Sequence, residues 1–387
     1  MAKSRIYLDF NATTPLSDSA KTALMQSFEH FGNASSVHSE GRTAKALIQT
    51  ARRHIAESLN GNIDNIIFTS GATEGAALAL TPHYMMGRSA VLFSKLYVSA
   101  TEHPCVLAGG RFDKADIVTI PVDKNGLIDC NILENELKKH DKSAGLPLIS
   151  IQYANHETGV LQPIGQIADT VKQSGGVFVA DIVQAYGKMP IDLAELGADF
   201  VFISGHKLGA PKGIGALIAL GSVLMPKALL TGGGQEHGHR SGTQAVGMIS
   251  AFGAAVEDIK RHDNEYSRLK TLRNHLEQGL KEISPDCIIH GEQSERLPNT
   301  TFFSIPDMKA ETLQIAYDLA GIAVSAGSAC SSGKVSSSPV LKAMNYDDDN
   351  GAIRISTGWR TELQDIDTFL AETQKIVSRF KKNSQKA

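Results

Sequence analysis

Apolar positions alternate between two spacings over the first two thirds of the chain. Ala44, Leu47, Ile48, Ala51, Ile55 and Leu59 recur at helical spacing and predict an amphipathic helix. Ile66-Ile67-Phe68-Thr69 is a short apolar run that stops at Gly71. Runs at 91–93, 117–122, 148–153, 177–180, 200–203 and 216–220 read as further strands, with helical stretches such as 164–173 between several of them. Short apolar strands separated by helices predict a mainly parallel sheet covered on both faces. From 243 to 283 the pattern turns helical for some forty residues, a length that suits a helix or helix pair joining two domains. Beyond it come a strand at 301–305, a helix near 311–319, a short strand at 323–324, a strand at 351–356 and a closing helix at 362–380, which read as a smaller α+β unit.

Length and composition narrow the class. At roughly 150 residues per domain, 387 residues suggest two or three domains. Hydrophobic residues make up 42% and charged residues 20%, the balance of a soluble globular protein rather than a disordered one. The net charge of −3 leaves no basic footprint for nucleic acid. The basic end (Arg379, Lys381, Lys382, Lys386) reads as a solvated tail. No apolar run reaches the ~18 residues of a membrane span, and the N-terminus has no apolar signal region. The four cysteines (Cys105, Cys130, Cys287, Cys330) form no C-x-x-C pair, which argues against a disulfide framework or structural zinc and suits a reducing cytosol.

Five features could carry chemistry. Ser204-Gly205-His206-Lys207 follows an apolar strand, so Lys207 falls at the strand edge where open α/β sheets bind ligands. Taken alone, an ordinary solvated lysine is the commoner reading. Val177-Phe178-Val179-Ala180-Asp181 is a second apolar strand, ending in a carboxylate that must meet a donor or cation to offset its desolvation. Pyridoxal phosphate needs such a pair, an amine for its aldehyde and an acid for its pyridine nitrogen; a helix N-cap is the plain alternative for Asp181. Thr69-Ser70-Gly71-Ala72-Thr73-Glu74-Gly75 places hydroxyls and a Gly turn before a helix N-terminus, which suits an anion and equally suits a plain capped helix. Cys330 lies within 325–338, where seven Ser and two Gly in fourteen residues predict an exposed, mobile loop and a reactive thiol. Arg354, alternating with Ile353 and Ile355, faces away from the apolar side and could pair with a substrate carboxylate; a surface arginine is the commoner case.

Together and in this order, these residues resemble the cysteine desulfurases of the NifS/IscS type, in the class V aminotransferase group. The resemblance spans essentially the whole chain. It is carried by Tyr7-Leu8-Asp9, Thr13-Thr14-Pro15, Thr69 to Glu74, Thr101-Glu102-His103, Asn155 with Glu157-Thr158-Gly159, Asp181 with Gln184, Ser204 to Lys207, Arg240-Ser241-Gly242-Thr243 and Ser328-Ala329-Cys330. It implies a fold-type I α/β architecture: a large cofactor domain, 16–257, with a mainly parallel seven-stranded sheet between helices, and a small domain of 1–15 with 258–387 that carries the Cys loop. The cofactor would be pyridoxal 5′-phosphate, held by Lys207, with Asp181 at the pyridine nitrogen and Gln184 at the ring hydroxyl. His103 would stack on the ring and shuttle protons. Ala72, Thr73, Ser204 and His206 would bind the phosphate, and Thr243 would reach the phosphate of a partner subunit, so a homodimer is expected. Asn155 would serve cofactor and substrate, and Arg354 the substrate carboxylate.

The implied reaction converts L-cysteine to L-alanine and leaves a persulfide on Cys330 for a sulfur-acceptor protein, in the family an iron–sulfur scaffold. Competing expectations are a selenocysteine lyase or other class V enzyme, and a sulfur carrier without catalysis. Neither a metal site, a nucleic-acid partner nor a membrane is expected, and the location is cytoplasmic. Two features set the chain apart. His156 stands where the family often has a second Asn, and the chain ends at Ala387 soon after its last helix, where housekeeping members have a longer tail that helps dock the scaffold.

Overall fold

The computed structural model describes residues 5–259, 265–327, 338–346 and 350–384, with side chains to 382. The N-terminal arm contributes a short strand, β1 (Ile6–Tyr7). Nine strands follow: β2 (Ile66–Thr69), β3 (His83–Met86), β4 (Ser89–Ser99), β5 (Ile117–Ile120), β6 (Leu146–Gln152), β7 (Val177–Asp181), β8 (Phe200–Ser204), β9 (Gly215–Ala219) and β10 (Leu224–Pro226). The last third adds β11 (Ile288–Ile289), β12 (Thr300–Ser304), β13 (Ile322–Ala323), β14 (Ser325–Ala326) and β15 (Ile353–Ser356).

The seven-stranded sheet expected from the sequence is present in the order β5-β4-β6-β7-β8-β9-β2. Strands β5, β4, β6, β7 and β8 run parallel, and β9 and β2 pair antiparallel. The apolar runs did not announce the antiparallel hairpin partners β3 and β10, which extend the sheet past the outer half of β4 to nine strands. Their solvent-facing positions break the continuous hydrophobic signal: His83, Met85 and Met86 are exposed around buried Tyr84.

The central strands read as unbroken apolar runs because each feeds two cores. Ile149, Phe178, Ala180, Val201 and Ile203 point to one face, while Leu148, Val177, Val179, Phe200 and Phe202 point to the other. Such double-sided burial belongs to sheets covered by helices on both faces. On one face, Ser39–Ser58 presents Ala44, Ile48, Ala51 and Ile55, and packs with Asp18–Ser27 against Val246–Ile259. The long helical stretch resolves into that last helix and Glu265–Ile283. A separate apolar core gathers Leu8, Leu269, Leu276, Phe303, Ile353, Ile355 and Phe369. The N-terminal arm joins it through the pairing of β1 with β13. Among the described residues, no helix is long and apolar enough to cross a membrane.

One ion pair ties the sheet edge to the segment that precedes Thr243. Arg52 forks onto Glu236 at 2.9 and 3.0 Å, and Glu236 also accepts the Phe68 N–H at 2.9 Å. Both side chains are buried. Removing one partner strands the other charge in the interior, so Arg52→Met is expected to cost about 3–5 kcal/mol. The double variant with Glu236→Gln should recover part of that loss. Urea unfolding of the two variants checks this.

Candidate functional site

A cavity of about 560 Å³ opens at the C-terminal ends of β6, β7 and β8, the edge where parallel strands release their backbone groups. Lys207 sits one turn past β8, in the 3₁₀ turn Gly205–Lys207. Its ammonium donates to the carbonyls of Asn11 at 2.5 Å and Ala12 at 2.9 Å, so the N-terminal arm forms part of the cavity wall. Asp181, the last residue of β7, lies in the same wall. Its carboxylate accepts the Val183 N–H at 2.9 Å. Burial pushes its pKa up to about 6, against the pull of Val183 and of the Lys207 charge, so the group is mainly ionised at neutral pH and would favour a cationic N–H as partner.

The opposite end suits an anion. The helix Ala72–Ala79 begins without any side-chain cap, so its first N–H groups are open to a ligand. Gly71, at φ +157° and ψ 179°, turns the chain into it, a conformation confined to glycine. Strand β9 passes so close that a Cβ on Gly215 would lie 2.7 Å from the Gly71 Cα. Thr73, Ser204 and His206 line this end.

His103 caps the short helix Pro104–Leu107, its Nδ1 accepting the Cys105 N–H at 3.2 Å. Burial and the nearby Lys207 charge lower its pKa to about 4, so it is a neutral imidazole with its proton on Nε2. Burial and Lys207 likewise hold His206 down to about 4. Gln184 donates to the Asn11 carbonyl at 3.1 Å and accepts from Lys188 at 2.6 Å, which fixes the direction of its amide.

Of the residues expected from the sequence, the structure brings Lys207, Asp181, Gln184, His103, Ala72, Thr73, Ser204 and His206 to one cavity. Three others stand outside its lining. The Asn155 amide is spent on its own turn, its Oδ1 accepting the N–H groups of Glu157 and Thr158 and its Nδ2 donating to the Thr101 carbonyl. Thr243 is exposed and belongs to no wall of this cavity within one chain. Arg354 alternates with core residues Ile353 and Ile355, and the surface-arginine alternative fails, since the side chain is 4% exposed. The arm folds over its strand face, and the guanidinium pairs with Asp9 at 2.9 Å and donates to the His156 carbonyl at 2.9 Å. Cys330 lies outside the described residues.

Four polar groups around the site had no role assigned from the sequence, although Glu102 and Glu157 stand in its motifs. Asn11 supplies both the carbonyl and the side-chain oxygen that hold Lys207, Gln184 and Lys188. Lys188 is pushed well below the ordinary lysine range by burial and by the charges of Lys207 and Arg354. Glu102 accepts the Gln152 N–H through Oε1, while Oε2 meets no partner; burial, with Asp181 nearby, raises its pKa well above the ordinary carboxylate value. The fourth is Glu157, raised to about 7 by burial against the pull of Ser338 and Arg354. An amine, an acid at the end of β7, a flat neutral ring and an open helix N-terminus in one cavity fit an aromatic aldehyde that bears a phosphate.

Comparison with known proteins points the same way. The family described as aminotransferase class-V matches residues 6–369. The cysteine desulfurase IscS of Dictyoglomus turgidum is 36% identical over 390 residues, covering 98% of this chain and 96% of its own. Cysteine desulfurase IscS 1 of Archaeoglobus fulgidus is 34% identical, with 98% of each chain covered. The crystal structure of a NifS-like protein from Rickettsia africae superposes with a TM-score of 0.86 at 35% identity, over 97% of this chain and 99% of that one. With a match that runs over nearly its whole length, the chain belongs to the class V aminotransferases, among the cysteine desulfurases of the NifS/IscS type.

Proposed function

We propose that this chain removes sulfur from L-cysteine with pyridoxal 5′-phosphate in the cavity described above, giving L-alanine and a persulfide on Cys330. The observation that carries the reading is the convergence of Lys207 and Asp181 with the open N-terminus of Ala72–Ala79 on one cavity. When bound, the cofactor supplies an electron sink for the bond broken at the substrate Cα.

The chain's own residues do the rest. Lys207 would hold the cofactor through its aldehyde, and its amine would move the proton of the substrate Cα. Asp181 keeps a proton on the pyridine nitrogen, and Gln184 Nε2 donates to the ring hydroxyl oxygen. His103, neutral at working pH, lays its ring on the cofactor and carries protons through Nε2. The N–H groups of Ala72 and Thr73, with Ser204 and His206, hold the phosphate, and Thr243 reaches the phosphate in the partner subunit of a homodimer. Arg354 exchanges Asp9 for the substrate carboxylate, an exchange of like for like, and Asn155 holds the turn against which the substrate lies.

The sulfur step balances without an added oxidant. The Cys330 thiolate forms an S–S bond to the substrate sulfur as the C–S bond breaks, and the substrate's thiol proton ends on carbon. Sulfur is oxidised and carbon reduced by equal amounts. The acceptor would be a protein thiol on an iron–sulfur scaffold, in a reducing cytoplasm that keeps the Cys330 thiol free between turnovers.

Purified protein given L-cysteine and a thiol reductant should release alanine and sulfide in equal amounts. Pyruvate with sulfide and no alanine would mean β-elimination and overturn the reading. A colourless protein that pyridoxal phosphate cannot reconstitute would leave only a sulfur carrier.

A further inference from the structure

Gln184-Ala185-Tyr186-Gly187-Lys188 follows β7 and folds as a tight turn. The Tyr186 N–H donates to the Ile182 carbonyl at 2.8 Å, and the Lys188 N–H to the Ala185 carbonyl at 3.0 Å. Gly187 completes the turn at φ +78°, where a Cβ would lie 2.5 Å from the Leu208 side chain. The turn brings Lys188 back onto Gln184. We infer that Lys188 is a positioning residue, which holds Gln184 so that its amide N–H, and not its oxygen, meets the ring hydroxyl of the cofactor.

Lys188 is half-buried, with its amine turned inward. It donates to Gln184 Oε1 at 2.6 Å and to Asn11 Oδ1 at 2.7 Å. Both acceptors belong to buried side chains, where an oxygen left without a donor is costly. Asn11 Oδ1 has a second donor, Asn299 Nδ2 at 3.1 Å. Among the described residues, Gln184 Oε1 has Lys188 alone. An amine has at least two N–H groups to give whether charged or neutral, so this pinning does not depend on its proton count. Gln184 Nε2 gives one N–H to the Asn11 carbonyl at 3.1 Å, and its other N–H is left for the cavity that the residue lines. Turning the amide over would set its oxygen against both the Asn11 carbonyl and the ring oxygen. Asn11 is itself a fixed point, since its N–H donates to Ser356 Oγ and its Nδ2 to Thr300 Oγ1, each at 2.9 Å.

The proposal rests on the reading that pyridoxal phosphate occupies this cavity. Its test titrates the full chain, freed of cofactor, with two probes: pyridoxal 5′-phosphate and the 3-deoxy analogue, which lacks the ring hydroxyl. Lys188→Met keeps the apolar stem and removes the donor. It should weaken pyridoxal phosphate about tenfold and the analogue by less than about twofold, the pattern of one lost hydrogen bond to a charged oxygen. Lys188→Arg keeps the N–H groups, and the adjoining cavity of about 320 Å³ gives it room, so it should retain most of the wild-type preference. Gln184→Met should show the same selective loss, and adding Lys188→Met to it should change neither affinity further, because nothing is left to act through. Equal losses for both probes would mark a general effect on the cavity and overturn the proposal. So would unchanged binding of both, or full additivity of the two substitutions. A wild-type protein that binds neither probe would overturn the cofactor reading and the proposal with it. Selective loss in a protein that makes no alanine from L-cysteine would uphold the role of Lys188 and count against desulfuration alone.

Discussion

Replacing Lys207 by alanine is expected to lower the rate of alanine formation about 10⁴-fold or more, the upper end of what a positioned proton carrier contributes. It should also abolish covalent retention of the cofactor after borohydride. Both losses have one origin, because the same amine holds the aldehyde and later moves the Cα proton. The decisive comparison is with Lys188. Burial pushes Lys188 well below the ordinary lysine value, which makes it the competing amine. Its Nζ, however, is engaged by Asn11 Oδ1 at 2.7 Å and Gln184 Oε1 at 2.6 Å, and it lines the cavity behind Lys207 rather than the one that holds Asp181 and His103. Peptide mapping after borohydride should therefore find the added mass on the peptide of Lys207 in the wild type and on none in Lys207→Ala. Retention on the Lys188 peptide would reverse the assignment.

The contrast between these two lysines shows which parts of the site a sequence discloses. Lys207 and Asp181 were legible because each closes an apolar run, and a charge at the end of a buried strand is a local, countable signal. The sheet was legible for a related reason: residues of alternate parity feed two cores, so every central strand reads as unbroken apolar sequence. The burial of Arg354 was not legible because its environment is not local. Nothing near residue 354 in the sequence says that Asp9, from the opposite end of the chain, covers that strand face. Asn155 offers a middle case. Its position two and three residues before the N–H groups of Glu157 and Thr158 is the spacing of an Asx turn, a local signal that competes with any role in binding. Lys188 was silent, and Glu102 and Glu157 stood in the motifs without a role, because burial alone makes them unusual, and burial is decided by the whole fold.

Cys330→Ser should leave cofactor binding and its colour intact while stopping alanine formation, with a fall of about 10³-fold or more. The argument is one of bond chemistry. A thiolate can accept a sulfur atom and hold it as a persulfide, whereas a serine hydroxyl is un-ionised at neutral pH and forms no stable bond to sulfane sulfur. An unperturbed thiol, with a pKa of about 8.5, is only a few per cent ionised at pH 7. The wild-type rate should therefore rise with pH toward that value unless a neighbour lowers it. Cys287 and Cys105 are poor substitutes. Burial raises Cys287 to about 12, and burial with the Asp181 and Glu102 charges does the same for Cys105 although it lines the cavity. Cys105 is also held at 3.1 Å from His103 Nδ1, on the acceptor side of that ring. Mass analysis after a single turnover without reductant should show one added sulfur, on the peptide of Cys330. In Cys330→Ser no peptide should carry it. A Ser variant that still makes alanine at the wild-type rate would move the acceptor thiol to Cys105, and the double variant would then be the one that falls silent.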